Sequence, residues 1–507
     1  MKKSLIITLI ALVSMVGLGL NSYGQQKPQY GGKLRIIATG SPMNIGYAPK
    51  QTFPDHTPAT MWSERIFDLK TTGDLLPNIA ESFSVSPDGK TITIRLRKGV
   101  KFQDGTDWNA KAAVWSFQTC KDTGALGGGK RIDKIEATDE YTVVVTLNHR
   151  NNQVIYDLTR IYHYSPTAFQ KNGQDWAVNH SVSTAAFEAY EFQRDVAVKM
   201  KKFNSYWRTG KPYLDEVELR IVREPATCAA MIQAKQADIW MTASAQESAD
   251  LKRMGFQVLQ WPTLLNNLYP DSKNPDSPFA NKKVREAIEY ALDRPAMAKA
   301  LGFGFQEPLN QLSSPGTAGY NPDYKGRPYN PAKAKQLLAE AGFPQGFRTK
   351  MTLNPTMGTA ANMAAVIQNY LKEIGIFVDL DVADVGRYWG AINGGWQGLL
   401  LGVSAINPEY CVAWLHHFGP EPLMKFASMA KSPEYLGLCD KLVIAPNIPQ
   451  MRDLTRQMVT QASEDAMAIP LTYNLGTSVA QTNLHSNYYK DVDWTYWWIY
   501  NDWLEKK

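Results

Sequence analysis

The stretch covering residues 76–117 constrains the fold more than any other part of this 507-residue chain. Its first half alternates apolar and polar residues on both sides of Pro87-Asp88-Gly89, which supplies a fixed φ, an Asx turn and a residue tolerant of positive φ. This pattern predicts a β-hairpin whose return arm, residues 91–97, buries one face. Asn109 is then placed to cap a helix with apolar residues at helical spacing. We therefore expect a β-hairpin followed by an amphipathic helix.

Three further helices, in the second half of the chain, begin at a polar capping residue. The predicted caps are Asn281, Asp293 and Asn330, and each precedes an apolar stripe or a proline at the first helical position. Residues 348–382 then read as a strand, a helix and a strand. A βαβ unit of this kind predicts a largely parallel sheet.

Length and charge bound the class of protein. Hydrophobic residues make up 44% and charged residues 20% of the sequence, which is typical of a folded protein. A chain of this length divides into about two to four domains. The formal net charge of +6 is small for the length, and no basic cluster with interleaved aromatic residues occurs. Nucleic acid is therefore not an expected partner.

The amino terminus has the pattern of a secretory signal. Lys2 and Lys3 precede an apolar run over residues 5–20, and small residues near Gly24 suit cleavage by signal peptidase. The alternative, a retained membrane helix, needs a longer uninterrupted apolar span. No cysteine lies near the cleavage point, so no lipid anchor is predicted. We expect residues 1–24 to be a signal peptide and the mature protein to be periplasmic.

Several segments resemble one protein family, and they do so in the family's order. Residues 76–82, the turn at residues 86–90 and residues 96–105 resemble the signature of family 5 extracellular solute-binding proteins, the peptide- and nickel-type receptors of ABC importers. Downstream, residues 203–207 resemble the family's Asn-x-x-Tyr-Trp motif, and residues 279–294 resemble its most recognisable second-lobe motif. The resemblance extends over most of the chain.

This resemblance implies an α/β fold of the periplasmic-binding-protein type, with two lobes, a hinge and an extra N-terminal subdomain. Lobe I would combine residues 25–60, 185–265 and 475–507, the subdomain residues 61–184, and lobe II residues 266–474. The implied function is capture of a small organic solute by lobe closure and its delivery to a membrane ABC permease complex. A monomer is expected. The alternatives are a di- or oligopeptide receptor of the same family, and a ligand-binding sensor or chaperone without transport.

Candidate contacts on the first lobe follow from the resemblance. Residues 41–58 contain four prolines, which argues against a helix, and in the family this loop enters the cleft between the lobes. Asn44, Ile45 and Tyr47 are therefore candidate solute contacts, with packing of the loop as the alternative. A helix is predicted over residues 60–67, where Trp62 is a further candidate.

Candidate contacts on the second lobe lie at residues 401–408. Peptide-binding members of the family usually carry a Trp-x-x-Asp-Tyr-x-Asp-Pro-like sequence here, whose first Asp pairs with the α-ammonium group of the peptide. This chain has Val403 in place of the Trp and no carboxylate before Asn407. A buried ammonium group without a carboxylate is costly, so we expect that a free amino terminus is not recognised. Ser404 and Asn407 are the candidate contacts, and Glu409 is the alternative partner for an ammonium group.

Aromatic residues and histidines flank that segment. Tyr388 and Trp396 suit stacking on a flat or sugar-like ligand, with core packing as the alternative. Tyr410, Trp414 and His417 lie together downstream and complete the set of predicted contacts. The two adjacent histidines there do not converge as the ligands of a bare metal ion do, but one remains a candidate for contact with a chelated metal or an anionic group.

The four cysteines are spaced too widely for a zinc site. In an oxidising compartment, Cys411 and Cys439 would close the most local disulfide, and small buried side chains are the alternative. We find no nucleophile elbow, zinc-protease motif or dinucleotide fingerprint. The sequence therefore predicts no enzyme, no cofactor and no metal site.

Overall fold

The computed structural model describes residues 27–51, 53–355, 360–405, 415, 417–420, 422, 424–486 and 496–506. Its strands are β1 (Lys33–Ala38), β2 (Phe67–Leu69), β3 (Leu75–Pro77), β4 (Ala80–Val85), β5 (Thr91–Leu96), β6 (Ile132–Asp139), β7 (Thr142–Leu147), β8 (Phe187–Gln193), β9 (Ala197–Lys202), β10 (Glu216–Ile221), β11 (Ile239–Ala243), β12 (Gln257–Pro270), β13 (Gln306–Pro308), β14 (Phe347–Leu353), β15 (Ile376–Val382), β16 (Leu399–Ala405), β17 (Ile469–Ala480), β18 (Leu484–His485) and β19 (Trp503–Leu504).

The described α-helices lie between these strands and cover both lobes. They span Phe53–Ala59, Ala110–Asp122, Gln153–Thr159, Pro166–Asn172, Gln174–Asn179, Pro225–Gln233, Ala245–Arg253, Lys282–Ala291, Arg294–Leu301, Pro331–Glu340, Ala360–Glu373, Val385–Gly394, Pro433–Val443 and Ile448–Glu464. The predicted α/β fold class is confirmed.

One sheet of eleven strands runs through the molecule. Its order is β15-β14-β16-β12-β17-β11-β1-β10-β9-β8, with β13 beside β17. At one end β14 is parallel to β15 and β16, and at the other β1 is parallel to β10 and β11. The long strands β12 and β17 run antiparallel to each other through the middle. They link two lobes, each with its own helices and parallel strands.

The ladder between β12 and β17 is interrupted near the middle of β12. Its register shifts between Pro262 and Leu265. Just beyond the shift, Asn266 Nδ2 donates to Thr472 Oγ1 at 2.9 Å and to Asn474 Oδ1 at 2.9 Å. A shift in register bends a strand pair locally, and polar side chains take over part of the pairing. The boundary between lobe I and lobe II at residues 265 and 266 stays a prediction.

The predicted hairpin and helix of the subdomain are confirmed. β4 and β5 pair antiparallel in a four-stranded sheet with β6 and β7. Gly89 has a φ of 73°, and Asp88 Oδ1 accepts a hydrogen bond from the backbone N–H of Lys90 at 3.0 Å. Asn109 caps the following helix by accepting from the N–H of Ala112 at 3.1 Å.

The three predicted caps of the second lobe are also confirmed. The side chains of Asn281, Asp293 and Asn330 each accept a hydrogen bond from a backbone N–H in the first turn of their helix. β14 and β15 are parallel and joined by the helix Ala360–Glu373, which is the predicted βαβ unit.

The helix predicted over residues 60–67 is wrong, and so is the prediction that the preceding loop contains no helix. The structure has a helix at Phe53–Ala59, and β2 begins at Phe67. Pro54 lies in the first turn, where its missing N–H would have no intrahelical partner. Pro58 lies inside the last turn of this short helix, so it interrupts few hydrogen bonds. The prolines therefore determine where this helix ends, and they do not prevent it from forming.

The predicted Cys411–Cys439 disulfide is not formed in this structure. Cys439 is a free thiol, buried on the helix Pro433–Val443 within the apolar core that also contains Tyr435. Burial raises the pKa of the Cys439 thiol to about 11. Cys411 lies outside the described residues. Cys439 therefore acts as a small apolar side chain in the second lobe.

Candidate functional site

The strand β16 leads directly into the segment predicted to contact the solute. β14, β15 and β16 are mutually parallel, so their carboxyl ends lie at one edge of the sheet. In open α/β sheets, ligands bind in the crevice beyond such carboxyl ends. The predicted contacts Asn407, Tyr410 and Trp414 follow β16 and lie outside the described residues. The structure does describe the residues that pack beneath this edge of the sheet.

Ser404, near the end of β16, is held by two neutral side chains of the adjacent strand β12. Asn267 Nδ2 donates to Ser404 Oγ at 3.0 Å and to Tyr269 Oη at 3.2 Å. The same nitrogen faces the carbonyl of Leu265 at 3.3 Å, which fixes the orientation of the amide because a carbonyl only accepts. Burial raises the pKa of Tyr269 to about 12, so its hydroxyl group is neutral. Ser404 therefore lies in a buried, uncharged hydrogen-bond network.

Three other predicted residues gather around the same tyrosine. Trp396 Nε1 donates to the carbonyl of Tyr269 at 3.0 Å, and Tyr388 Oη donates to the carbonyl of Leu401 at 3.1 Å. The ring of Phe426 lies 4.5 Å from the ring of Tyr269 and 6.4 Å from that of His417. Tyr388, Trp396, Ser404 and His417 are all buried. The structure thus brings four predicted residues into one packed layer beneath the edge, which we call the Tyr269 cluster.

Tyr269 itself was missed by the sequence analysis. The signal that could have identified it is the alternation along β12, which places Leu265, Asn267 and Tyr269 on one face of the strand. What the sequence could not supply is the partner, since Ser404 lies on another strand more than a hundred residues away. Only the antiparallel pairing of β12 with β16 brings them together.

On the first lobe, the predicted contact residues organise the loop that follows β1. Asn44 Oδ1 accepts from the N–H groups of Gly46 and Tyr47, at 3.1 and 2.9 Å, and its Nδ2 donates to the carbonyl of Tyr47. The Asn44 amide therefore stabilises the conformation of its own loop. The ring of Tyr47 stacks on Phe169 at 5.5 Å.

Ile45 and Trp62 are fully buried in the core of the first lobe. Trp62 is enclosed because the chain turns after the helix Phe53–Ala59 and folds inward before β2. In the conformation described, these two side chains present no surface to a cleft. Their predicted role as contacts stays a prediction, and their observed role is to fix the position of the neighbouring loop.

A second polar cluster, which the sequence analysis missed, lies between the first lobe and its subdomain. Glu64 accepts hydrogen bonds from Thr184 at 2.8 Å, Tyr206 at 2.8 Å and Trp207 at 3.1 Å. Asp68 accepts from Asn78 at 3.1 Å and Trp498 at 2.8 Å. Burial raises the pKa of both carboxyl groups, and the nearby guanidinium group of Arg208 opposes it.

A cavity of about 30 Å³ lies beside these two carboxylates. It is large enough for a few water molecules and too small for an organic solute. We therefore assign the Glu64–Asp68 cluster to the junction of lobe and subdomain. The sequence signal for it is a pair of carboxylates in a run rich in apolar residues, which also contains Ser63 and Arg65.

No group of three or more His, Cys, Asp or Glu side chains among the described residues is arranged to bind a metal ion. None of the helices in the described part of the chain is long and apolar enough to cross a membrane.

The chain is similar to proteins of one family. The family model for bacterial extracellular solute-binding proteins, family 5, matches residues 74–413. The glutathione-binding protein GsiB of Escherichia coli O1:K1 / APEC is 32% identical over 392 residues, which is 76% of this chain and 76% of that protein. GsiB of Shigella boydii is 32% identical over 394 residues, with the same coverage of both chains.

Solved structures show the same fold. The periplasmic binding protein DppA of Helicobacter pylori, in complex with the peptide STSA, aligns with a TM-score of 0.74 at 23% identity, covering 94% of this chain and 99% of that chain. NikA of Brucella suis, in complex with Fe(III)-EDTA, aligns with a TM-score of 0.82 at 19% identity, covering 94% of this chain and all of that chain. At these identities the likeness concerns the fold, and the predicted two-lobed architecture is confirmed.

Proposed function

The chain belongs to the bacterial extracellular solute-binding proteins of family 5, and we propose that its solute is a compact peptide-like molecule, with glutathione as the first candidate. As a member of this family, the protein captures a solute between its lobes and delivers it to the permease complex of an ABC importer. The observation that carries the proposal is the identity of 32% with curated glutathione-binding proteins over 76% of both chains.

The chemistry of the second lobe supports a solute of this kind. Glutathione is a γ-linked tripeptide with two amide groups and a carboxylate at each end, and its glutamyl end also carries an α-ammonium group directly beside the α-carboxylate. The segment before Asn407 lacks the carboxylate that would pair with the amino terminus of an ordinary peptide. In the layer beneath it, Ser404 has the neutral neighbours Asn267 and Tyr269. Neutral hydrogen-bonding groups suit amides, and an ammonium group that lies beside its own carboxylate needs no carboxylate from the protein, unlike the isolated amino terminus of an ordinary peptide.

Three finer points belong to the same proposal. The protein is secreted by its N-terminal signal, cleaved near Gly24, and acts in the periplasm as a monomer. It releases its solute chemically unchanged. The intact mass of the protein recovered from the periplasm tests the first point, and the mass of the solute after incubation with the protein tests the last.

The experiment that tests the solute is a thermal-shift series on the mature protein. The probes are glutathione, trialanine and a nickel chelate, each at the same concentrations. A ligand that binds only the native state adds about 2.7 kcal/mol at a concentration of 100 times Kd, so binding raises Tm. We expect a rise with glutathione and none with trialanine. An equal rise with trialanine would contradict the proposal that an amino terminus without a neighbouring carboxylate is not recognised.

A further inference from the structure

Two residues of the subdomain bind the end of a helix in the second lobe. The backbone N–H of Asn152 donates to the carbonyl of Val443 at 2.9 Å. The side-chain Nδ2 of the same residue donates to the carbonyls of Leu442 and Ala445, at 3.1 and 2.7 Å. Arg150 Nη2 donates to the carbonyl of Ala445 at 3.1 Å. We call Arg150 and Asn152 the subdomain latch.

The carbonyl groups that accept these bonds lie at the carboxyl end of the helix Pro433–Val443. The last carbonyl groups of a helix have no N–H partner within the helix, so they are open to donors from elsewhere. A cation at this end also interacts favourably with the helix dipole, and the guanidinium group of Arg150 supplies one. The latch thus satisfies, from the subdomain, groups that the second-lobe helix cannot satisfy itself.

The local sequence does not require Asn152 to donate in this way. Asn152 is the N-cap of the helix Gln153–Thr159, a position where asparagine commonly accepts from a backbone N–H of the first turn. In the part of the chain that the structure describes, its side chain makes no such bond. The neighbouring Asn151 Oδ1 accepts from the N–H of Gln153 at 2.9 Å instead. The Asn152 amide is therefore left to bind the second lobe.

The hairpin turn between β4 and β5 holds the arginine of the latch in place. A Cβ added to Gly89 would lie 2.3 Å from Arg150 Cγ, so the stem of the arginine lies directly against this turn. Gly89 also has a φ of 73°, which other residues rarely adopt. The turn therefore leaves the guanidinium group little freedom other than to reach the second lobe.

A second contact lies at the same interface. Asp74, in the turn between β2 and β3, pairs with Arg452 of the helix Ile448–Glu464 at 3.3 Å. Val154 of the subdomain and Leu442 of the second lobe belong to one continuous apolar cluster. An exposed ion pair contributes little, so the hydrogen bonds of the latch are the specific part of this interface.

The latch spans the two lobes because the subdomain is anchored to the first one. The Glu64–Asp68 cluster binds it there, through Tyr206 in the core of the first lobe and through Trp498. The strands β12 and β17 connect the lobes elsewhere in the molecule. Rotation of the second lobe about these strands would move its helix away from Asn152. Hydrogen bonds are lost beyond about 3.5 Å, so a small opening breaks the latch.

We propose that Arg150 and Asn152 are positioning residues for solute capture, which hold the second lobe against the subdomain in the closed conformation and slow the release of the solute. The proposal rests on the proposed function, and it assigns control of lobe opening to a contact made within the protein. A contact that is made in only one of two conformations shifts the population toward that conformation. The latch therefore favours closure with or without solute.

The first test compares N152D with the matched control N148D in the mature protein. Aspartate keeps the shape and the N-cap capacity of asparagine, but it has no donor and would bring a carboxylate against the carbonyl oxygens of the second lobe. Asn148 is exposed and donates within the subdomain, to the carbonyl of Lys130 at 3.1 Å. The same change there leaves the latch intact.

The measured quantities are the association and dissociation rates of glutathione, by stopped flow. We expect N152D to raise the dissociation rate at least ten-fold with the association rate within three-fold of wild type, since a contact that resists opening acts on release. N148D should leave both rates within two-fold. A general loss of stability would not separate the two rates. A dissociation rate of N152D within two-fold of wild type would overturn the proposal.

The second test does not depend on the identity of the solute. Small-angle X-ray scattering gives the radius of gyration of the solute-free wild type, N152D, N148D and R150M, and circular dichroism confirms that each variant is folded. We expect a larger radius for N152D and R150M and an unchanged radius for N148D. Equal radii for N152D, R150M and wild type would overturn the proposal. If glutathione binds to none of the proteins while the radius increases, the proposed solute is wrong and the latch stands.

Discussion

At the junction of the first lobe and its subdomain, the buried carboxylates of Glu64 and Asp68 outnumber the buried guanidinium group of Arg65. In the second lobe, the guanidinium groups of Arg285, Arg294 and Arg327 predominate. The carboxylates are held mainly by neutral donors: hydroxyl, amide and indole groups from four separate segments of the chain. The junction thus depends on side chains that the fold must bring together from distant positions.

In the second lobe, backbone carbonyl groups accept most of the hydrogen bonds that the buried arginines donate. Arg285 donates to the carbonyls of residues 279, 280, 465 and 466, and Arg327 donates to those of residues 463 and 464. Arg294 donates to the carbonyls of residues 289, 327 and 470. Glu286 and Glu289 supply counter-charges, at 2.9 and 3.3 Å from Arg327. We call Arg285, Arg294, Arg327 and Glu289 the arginine clasp; it fastens the end of the helix Ile448–Glu464 and the start of β17.

The difference between the two regions has a physical consequence. Arginine keeps its proton at every pH at which a protein is folded, so the guanidinium charges of the clasp do not change over the usual range. The junction contains groups that titrate, and burial has moved their pKa values. The second lobe is therefore expected to be sensitive to substitution, and the junction to both substitution and pH.

The largest effect is expected from Arg294→Met in the arginine clasp. The substitution leaves three buried carbonyl groups without this donor and removes one of the two cations near Glu289. Breaking a buried pair in this way costs about 3–5 kcal/mol of unfolding free energy, measured by urea denaturation. Arg348→Met, at an exposed pair with Asp379, is the matched control and is expected to change stability by less than about 0.5 kcal/mol. Equal effects of the two substitutions on the free energy of unfolding would show that the arginine clasp stabilises the protein no more than an exposed ion pair does.

A somewhat smaller effect is expected from Glu64→Ala at the junction. Three buried donors, from Thr184, Tyr206 and Trp207, lose their acceptor, which costs about 2–3 kcal/mol. Glu64→Gln, which keeps one acceptor oxygen, is expected to cost less in the same urea denaturation. If Glu64→Ala increased stability, the cost of burying the carboxylate would exceed the value of its hydrogen bonds, and our description of the junction would be wrong.

The pH dependence sharpens the comparison. His163 is fully buried between the rings of Trp108 and Phe117, at 4.7 and 5.2 Å, and burial lowers its pKa to about 3. In the unfolded chain its pKa is about 6.5, so the unfolded state binds more protons below that pH and stability falls as pH falls. Between pH 6.5 and pH 5 the loss is about 2 kcal/mol.

The variant His163→Phe isolates this contribution. It should show a smaller loss of unfolding free energy than wild type between pH 7 and pH 5. A residual loss is expected from His56, whose pKa burial also lowers to about 3. Identical pH profiles for the variant and wild type would show that His163 is not the buried neutral group described.

The smallest effect is expected from Ser404→Ala in the Tyr269 cluster. The substitution removes one of the three acceptors that face Asn267 Nδ2, at the end of β16, which costs about 1 kcal/mol of binding free energy, or roughly five-fold in Kd for glutathione. Ser116→Ala, at a buried serine of the subdomain, is the control and should leave Kd unchanged. If Ser116→Ala weakened glutathione binding as much as Ser404→Ala does, both substitutions would act through overall stability. The Tyr269 cluster would then have no specific role in binding.

The features that sequence could predict are those encoded within a few residues. The hairpin at Pro87-Asp88-Gly89 and the helices capped by Asn109 and Asn281 depend on local turn and capping chemistry, and all were predicted. The helix over residues 60–67 was wrong because the prolines of the preceding segment occupy positions that a short helix tolerates. The sequence shows that prolines are present, but it does not show which turn of a helix each proline occupies.

The candidate site could be predicted only in part, because it is assembled from distant strands. Tyr388, Trp396, Ser404 and His417 were chosen for their chemistry, and the structure shows that they share one buried layer. Nothing in the sequence indicates that Tyr269 lies at its centre, since this depends on the register between β12 and β16. For the same reason, the donors around Glu64 could not be identified before the fold was known.

The most direct test of this account is an isothermal titration of the mature protein with glutathione. We predict saturable binding of one molecule per chain, with a negative heat-capacity change from burial of apolar surface as the lobes close. Trialanine, titrated under the same conditions, should give no saturable heat. The absence of binding heat for glutathione at several temperatures, or an equally tight titration with trialanine, would contradict the account.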